Sequence, residues 1–130
     1  MEKRALFPLI LLVSLAWGAD LRTGYDVVIA GAGTGGSCAA IQAARMGASV
    51  LLIEETDWLG GQLLGAAVTS MDGGFTPLAE GGLYREFCER VERHYRALGK
   101  TCETAYFFHN ICLEPRVGLR ILNELIREAR

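Results

Sequence analysis

Tyr25-Asp26-Val27-Val28-Ile29-Ala30-Gly31-Ala32-Gly33-Thr34-Gly35-Gly36 is the stretch of this 130-residue chain that decides its fold. The first six residues are apolar or β-branched almost throughout and end at glycine, which predicts a central parallel strand buried on both faces. Gly31 to Gly36 read as a tight loop. Ser37 to Met46, rich in alanine, predicts a helix, and Gly47 follows it where glycine commonly closes a helix. Ser49 to Ile53 supplies a second buried strand. Strand, helix and strand within about 30 residues is the size of a βαβ unit.

The loop satisfies G-x-G-x-x-G. That string alone is weak, but here it follows a strand directly and opens a helix, as its mechanism needs. Gly31 would allow the tight turn, Gly33 the close approach of backbone to a pyrophosphate, and Gly36 close helix–strand packing. The helix N-terminus would turn free N–H groups and about half a positive charge toward the phosphates. Ala40, Gly47 and Val50 continue the pattern, and Glu54 closes the second strand 18 residues beyond Gly36. A carboxylate there accepts hydrogen bonds from the adenosine ribose hydroxyls and repels a 2′-phosphate, which disfavours NADP. The bland alternative is an ordinary strand–turn–helix with a surface glutamate. Agreement among strand, three glycines, helix, strand and acid favours an α/β, Rossmann-type FAD/NAD(P)-binding unit, its parallel sheet incomplete.

Working outward, residues 1–19 read as an export signal. Lys3 and Arg4 precede an apolar run from Ala5 to Trp17, and Ala16-Trp17-Gly18 offers a small-x-small cleavage pattern. The run is shorter than the ~20 residues that span a bilayer, so no stable membrane span is expected after cleavage; an uncleaved anchor is the alternative. The expected location is periplasmic or extracellular. The chain is 51% hydrophobic and 22% charged with a formal net charge of −2, a globular composition that gives nucleic acid or an anionic membrane little electrostatic attraction. Four cysteines, Cys38, Cys88, Cys102 and Cys112, contain no C-x-x-C, so neither a metal clamp nor a cluster-binding run is written. In an exported protein Cys102 and Cys112 form the nearest candidate disulfide pair. Cys38, inside the first helix, reads as a small buried side chain and not a nucleophile.

Glu54 to Gly82 is glycine-rich loop. Leu83 to Leu98 predicts an amphipathic helix with Leu83, Phe87, Val91, Tyr95 and Leu98 on its apolar face. Lys100 to Glu114 reads as irregular and aromatic around Tyr106-Phe107-Phe108. Pro115 suits the first turn of a last helix whose apolar face is Val117, Ile121, Leu122, Leu125 and Ile126. A doubly wound sheet would add another strand after it. The expectation is therefore that residues 20–130 form the N-terminal part of the dinucleotide-binding domain of a longer enzyme, or of a truncated gene product.

Asp57-Trp58-Leu59-Gly60-Gly61-Gln62 places a glycine pair soon after the ribose acid. With it, Asp26 to Gln62 resembles the start of FAD-dependent oxidoreductases of the two-dinucleotide-binding-domain type, and within them the family related to heterodisulfide reductase. Glu114-Pro115-Arg116-Val117 fits the same likeness. The resemblance implies FAD as cofactor, with contacts from Gly31, Gly33, Gly36, Glu54, Gly61 and Gln62; Thr34, Gly35 and Gly60 complete the two candidate segments. It also brings a possible 4Fe-4S cluster, for which this chain lacks the cysteine spacing. The chain departs from the family pattern in lacking the later strand that meets the adenine, the distal Gly-Asp segment and a substrate domain.

The implied function is hydride transfer between a small-molecule substrate and flavin. The alternatives are a non-catalytic dinucleotide-binding fragment and an NAD-dependent dehydrogenase, the latter disfavoured by Gly60-Gly61-Gln62. The residues name no catalytic side chain, substrate, electron acceptor or oligomeric state. His94 reads as solvated on its helix, and His109 as a packing or capping residue that could instead approach a ligand. Thr69 to Gly74 could fold over the flavin or be a plain turn.

Overall fold

The computed structural model describes residues 24–71, 81–105 and 109–129. Strand β1 (Val27–Ala30) leads into helix α1 (Thr34–Arg45) and returns as β2 (Val50–Ile53). The two strands are parallel, with Val27 opposite Val50 and Ala30 opposite Ile53. Together with α1 they make the Rossmann-type βαβ unit of an α/β fold. After it come a single helical turn α2 (Gly61–Leu64), helix α3 (Gly82–Ala97), strands β3 (Glu103–Ala105) and β4 (His109–Ile111), and helix α4 (Pro115–Glu128).

The open end of the sheet is stapled by a pair the sequence did not advertise. Asp26 Oδ2 accepts from Ser49 N–H at 2.8 Å and from Ser49 Oγ–H at 2.7 Å, just before each strand begins. These bonds hold the Asp26 carboxyl below its ordinary range. Helix α1 begins at Thr34, three residues earlier than the sequence predicts. The glycines at positions 35 and 36 sit in its first turn, and the first full helical bond is Ser37 N–H to Gly33 C=O at 2.9 Å. Its end is as predicted. Gly47 adopts φ +90°, and the N–H groups of Gly47 and Ala48 reach back to Ala44 and Ala43, a Schellman closure.

Side chains of all four helices meet in one core. Ile41 of α1, Leu64 of α2, Phe87 and Val91 of α3, and Ile121 and Leu125 of α4 form the buried centre. Of the face predicted for α3, Leu98 lies past the helix end and is 57% exposed. The chain has already turned there, with Gly99 at φ +67°, and Cys88 joins the core in its place. Pro115 occupies the start of α4 as predicted, and Ile121, Leu122 and Leu125 are buried along its apolar face.

Two expectations need correction. The strands are not buried on both faces: exposure alternates along β1, and Val28 and Ile53 remain 59% and 49% exposed. Helix α1 packs against both strands. Nor is Lys100–Glu114 irregular throughout, because β3 and β4 pair antiparallel with Glu103 opposite Ile111 and Ala105 opposite His109. Cys112 N–H donates to Cys102 C=O at 2.9 Å in continuation of that ladder. Short β-branched and polar runs gave too little alternation to announce strands of three residues. Residues 106–108 lie outside the described residues.

Candidate functional site

Ala32, a residue the motif leaves as "x", is the hub of the glycine loop. Its side chain is buried completely, and both its backbone groups are engaged. Ala32 N–H donates to Glu54 Oε2 at 2.7 Å. Its carbonyl accepts from Ser37 Oγ–H at 2.9 Å and from Gly60 N–H at 2.7 Å. Thr34 Oγ–H donates to Gly60 C=O at 3.1 Å, a second tie between the same segments. The loop, the ribose-acid position and the Gly60-Gly61 turn, far apart in the chain, are thus joined through one alanine and one threonine.

The glycines differ in what they do. Gly31 has φ +91°, a left-handed conformation that L side chains resist. At Gly36 a Cβ would lie 1.9 Å from the Gly31 carbonyl oxygen, so any side chain there drives backbone against backbone. Gly61 approaches the loop from the far side: its Cβ would lie 2.9 Å from Gly33 Cα. Gly33 is different. It has φ −57° and open space where a Cβ would be, so nothing among the described residues requires glycine there. Gly35 is exposed and equally open, and Gln62 is exposed on α2, its carbonyl accepting from Val68 N–H.

The electrostatics favour an anion at the loop. Helix α1 has no acidic residue in its first turn and no side-chain cap, leaving its leading N–H groups without intrahelical partners. Glu54 stands opposite, its carboxyl held below the ordinary glutamate range first by Ala32 N–H and then by the Thr56 hydroxyl. It is therefore an ionised acceptor at neutral pH. All nine site residues predicted from sequence lie in these two joined segments. The sequence missed Ser37, whose hydroxyl is positioned simply by following the third glycine, and Thr56, whose spacing two residues beyond the acid carries no motif.

The remaining candidates fall away from the loop or outside it. His94 is half-buried on α3, with Nδ1 3.0 Å from Arg120 Nη2 and its ring edge against Tyr95. The backbone of His109 pairs with Ala105 at the start of β4. Ser70 bridges to Cys112 and buried Met71 donates to Ile111 C=O, so this end of the Thr69–Gly74 stretch belongs to the hairpin; Asp72, Gly73 and Gly74 lie outside the described residues. None of the four cysteines is in a disulfide, Cys102 and Cys112 included. Burial pushes the Cys38 thiol up and that of Cys88 up to about 11, which keeps both protonated and unreactive at neutral pH. No three His, Cys, Asp or Glu side chains among the described residues are arranged to hold a metal ion. An apolar cavity of about 180 Å³ opens beside the loop, lined by Thr34, Cys38, Gly60, Met71, Tyr84 and Phe87 among others.

The sequence model of a family described as FAD dependent oxidoreductase matches residues 26–130. The chain belongs to the FAD-dependent oxidoreductase family. That match starts one residue before β1 and covers the loop, Glu54 and the Gly60-Gly61 turn. FAD is accordingly the cofactor, and oxidoreduction the general function. No curated protein matches this FAD-dependent oxidoreductase chain. The residues fit such a cofactor on their own evidence: a loop closed by glycines at Gly31 and Gly36, an open backbone at Gly33 and an ionised acid 2.7 Å from the loop.

Proposed function

We propose that Gly31, Gly33, Thr34, Gly35, Gly36, Glu54, Gly60, Gly61 and Gln62 bind FAD, and that the protein transfers hydride between a small-molecule substrate and the flavin. The observation that carries this reading is the junction at Ala32, where loop, acid and Gly60-Gly61 turn are held as one unit. Within it each residue has a task set by its surroundings. The Gly33 backbone lets a pyrophosphate come close, and the leading N–H groups of α1 donate to it. Glu54 accepts from the ribose hydroxyls, and its negative charge disfavours a 2′-phosphate. Gly61, packed on Gly33, flanks the pyrophosphate with backbone only. Bound FAD supplies the two-electron chemistry, and the chain's share is to bind and orient it.

Further elements of the proposal concern the whole protein. The Asp57–Gln62 segment supports membership of the two-dinucleotide-binding-domain type and kinship with heterodisulfide reductase. The exposed apolar face carrying Val28 and Ile53 supports residues 20–130 being one portion of a larger FAD-binding domain. Residues 1–19 are proposed as an export signal, the mature chain starting near Ala19 or Asp20. Among the described residues no helix is long and apolar enough to cross a membrane. N-terminal sequencing of a secreted fraction tests the signal: intact Met1 would contradict it.

The deciding experiment is an absorption spectrum of the 130-residue chain after incubation with FAD and desalting. Retained flavin bands are expected. A colourless protein would show that these residues do not hold the cofactor unaided.

A further inference from the structure

Thr56 sits in the turn that carries the chain from Glu54 to Gly60, and it is exposed. Its N–H and its hydroxyl both lie within donating distance of Glu54 Oε1, at 3.1 and 3.0 Å. The same hydroxyl oxygen lies 3.1 Å from Trp58 C=O and accepts from Trp58 N–H at 3.2 Å. A hydroxyl has one proton, so Glu54 and the Trp58 carbonyl compete for it. The ionised carboxylate is the stronger acceptor, and Trp58 N–H occupies a lone pair of the threonine oxygen instead.

We propose that Thr56 is a positioning residue for ribose recognition: its two donors hold Oε1 while Ala32 N–H holds Oε2, which fixes the carboxylate plane and leaves Oε2 a lone pair for a ribose hydroxyl. The proposal rests on the dinucleotide reading given above and deepens it. Oε2 accepts one bond from Ala32 and has a second lone pair. Without the threonine hydroxyl the carboxylate keeps only the two backbone N–H bonds, and its last side-chain torsion, an intrinsically broad rotation, is less tightly held. The recognised class is adenine nucleotides with free ribose hydroxyls, and Thr56 contributes only where those hydroxyls exist.

The test is calorimetric titration of the 130-residue chain and its Thr56→Val and Thr56→Ser variants with ADP and with 2′,3′-dideoxy-ADP. Thr56→Val should weaken ADP binding by about three- to tenfold, the effect of one net hydrogen bond. Thr56→Ser should bind ADP as the parent does, and dideoxy-ADP should not distinguish parent from Thr56→Val. An equal loss for both ligands would mean that Thr56 acts by shaping the turn, and no loss for either that it is idle; each overturns the proposal. If Thr56→Val does not fold, Thr56→Ala carries the same comparison. A parent chain that binds no ADP removes the site itself, whereas ADP binding insensitive to Thr56→Val removes this inference alone.

Discussion

The glycine loop and the α3–α4 pair are stabilised in opposite ways. Around Ala32 the ties are hydrogen bonds of backbone and short polar side chains, with glycines wherever two segments approach. Between α3 and α4 the ties are apolar side chains buried at Phe87, Val91, Ile121 and Leu125, rimmed by Arg90 bridging Glu86 and Glu128 at 2.9 and 2.6 Å. The first arrangement leaves room at Gly33. The second excludes water. On the proposed reading, a loop that admits the cofactor's phosphates forgoes filling side chains at one place, and burial of apolar side chains is concentrated in the helical core instead.

The widest separation of the two regions is expected from Gly33→Val. It should abolish FAD binding while costing only about 1 kcal/mol of stability, because a Cβ there meets open space and the main loss is that of glycine at the N-cap of α1. A thermal melt beside the flavin spectrum checks it, and a mutant that keeps cofactor would break the assignment of the loop. Ile121→Ala is the converse. Emptying a side chain that is 1% exposed should cost about 2–5 kcal/mol of folding stability, while FAD affinity at a temperature where the variant is folded stays near the parent value. Urea unfolding and flavin titration together test that independence.

Glu54→Ala should weaken binding of adenine nucleotides by more than about tenfold through lost charged hydrogen bonds. The pH dependence has a definite sign. Glu54 has its folded-state value lowered, so its contribution is complete above the ordinary glutamate value of 4.5 and is lost as the medium is acidified through the lower folded value. Melting temperature followed into acid should therefore fall less steeply in Glu54→Ala than in the parent. The smallest effect is expected at the rim. Arg90→Ala should cost about 1 kcal/mol at low salt and less at high salt, because its partly exposed pairs are screened; a salt-independent loss would locate its role in packing instead.

The same contrast explains what could be read from the sequence. The βαβ unit was legible because the strands, the alanine helix and the loop glycines each obey a strong local rule, and α3 and α4 because their apolar residues recur at helical spacing. The ladder of β3 and β4 was not, since Glu103–Ala105 and His109–Ile111 are too short to alternate. Ala32 was invisible for another reason. It acts through its backbone, and a backbone hydrogen bond to Glu54 leaves no mark on residue type. Exposure of Val28 and Ile53 likewise depends on what packs against them, which strand composition cannot report.

The ties that close the loop span 22 residues from Ala32 to Glu54 and 26 from Thr34 to Gly60, whereas Arg90 reaches Glu128 across 38. Each doubling of a closed loop adds about 0.6 kcal/mol of entropic cost, so the early segments close at the lower cost. During synthesis, which delivers the N-terminal segments first, every partner of Ala32 has been made once the ribosome has passed Gly60. On the proposed reading the residues that hold FAD are all synthesised before α4, so capture of the cofactor by the growing chain is a matter of timing as well as of affinity.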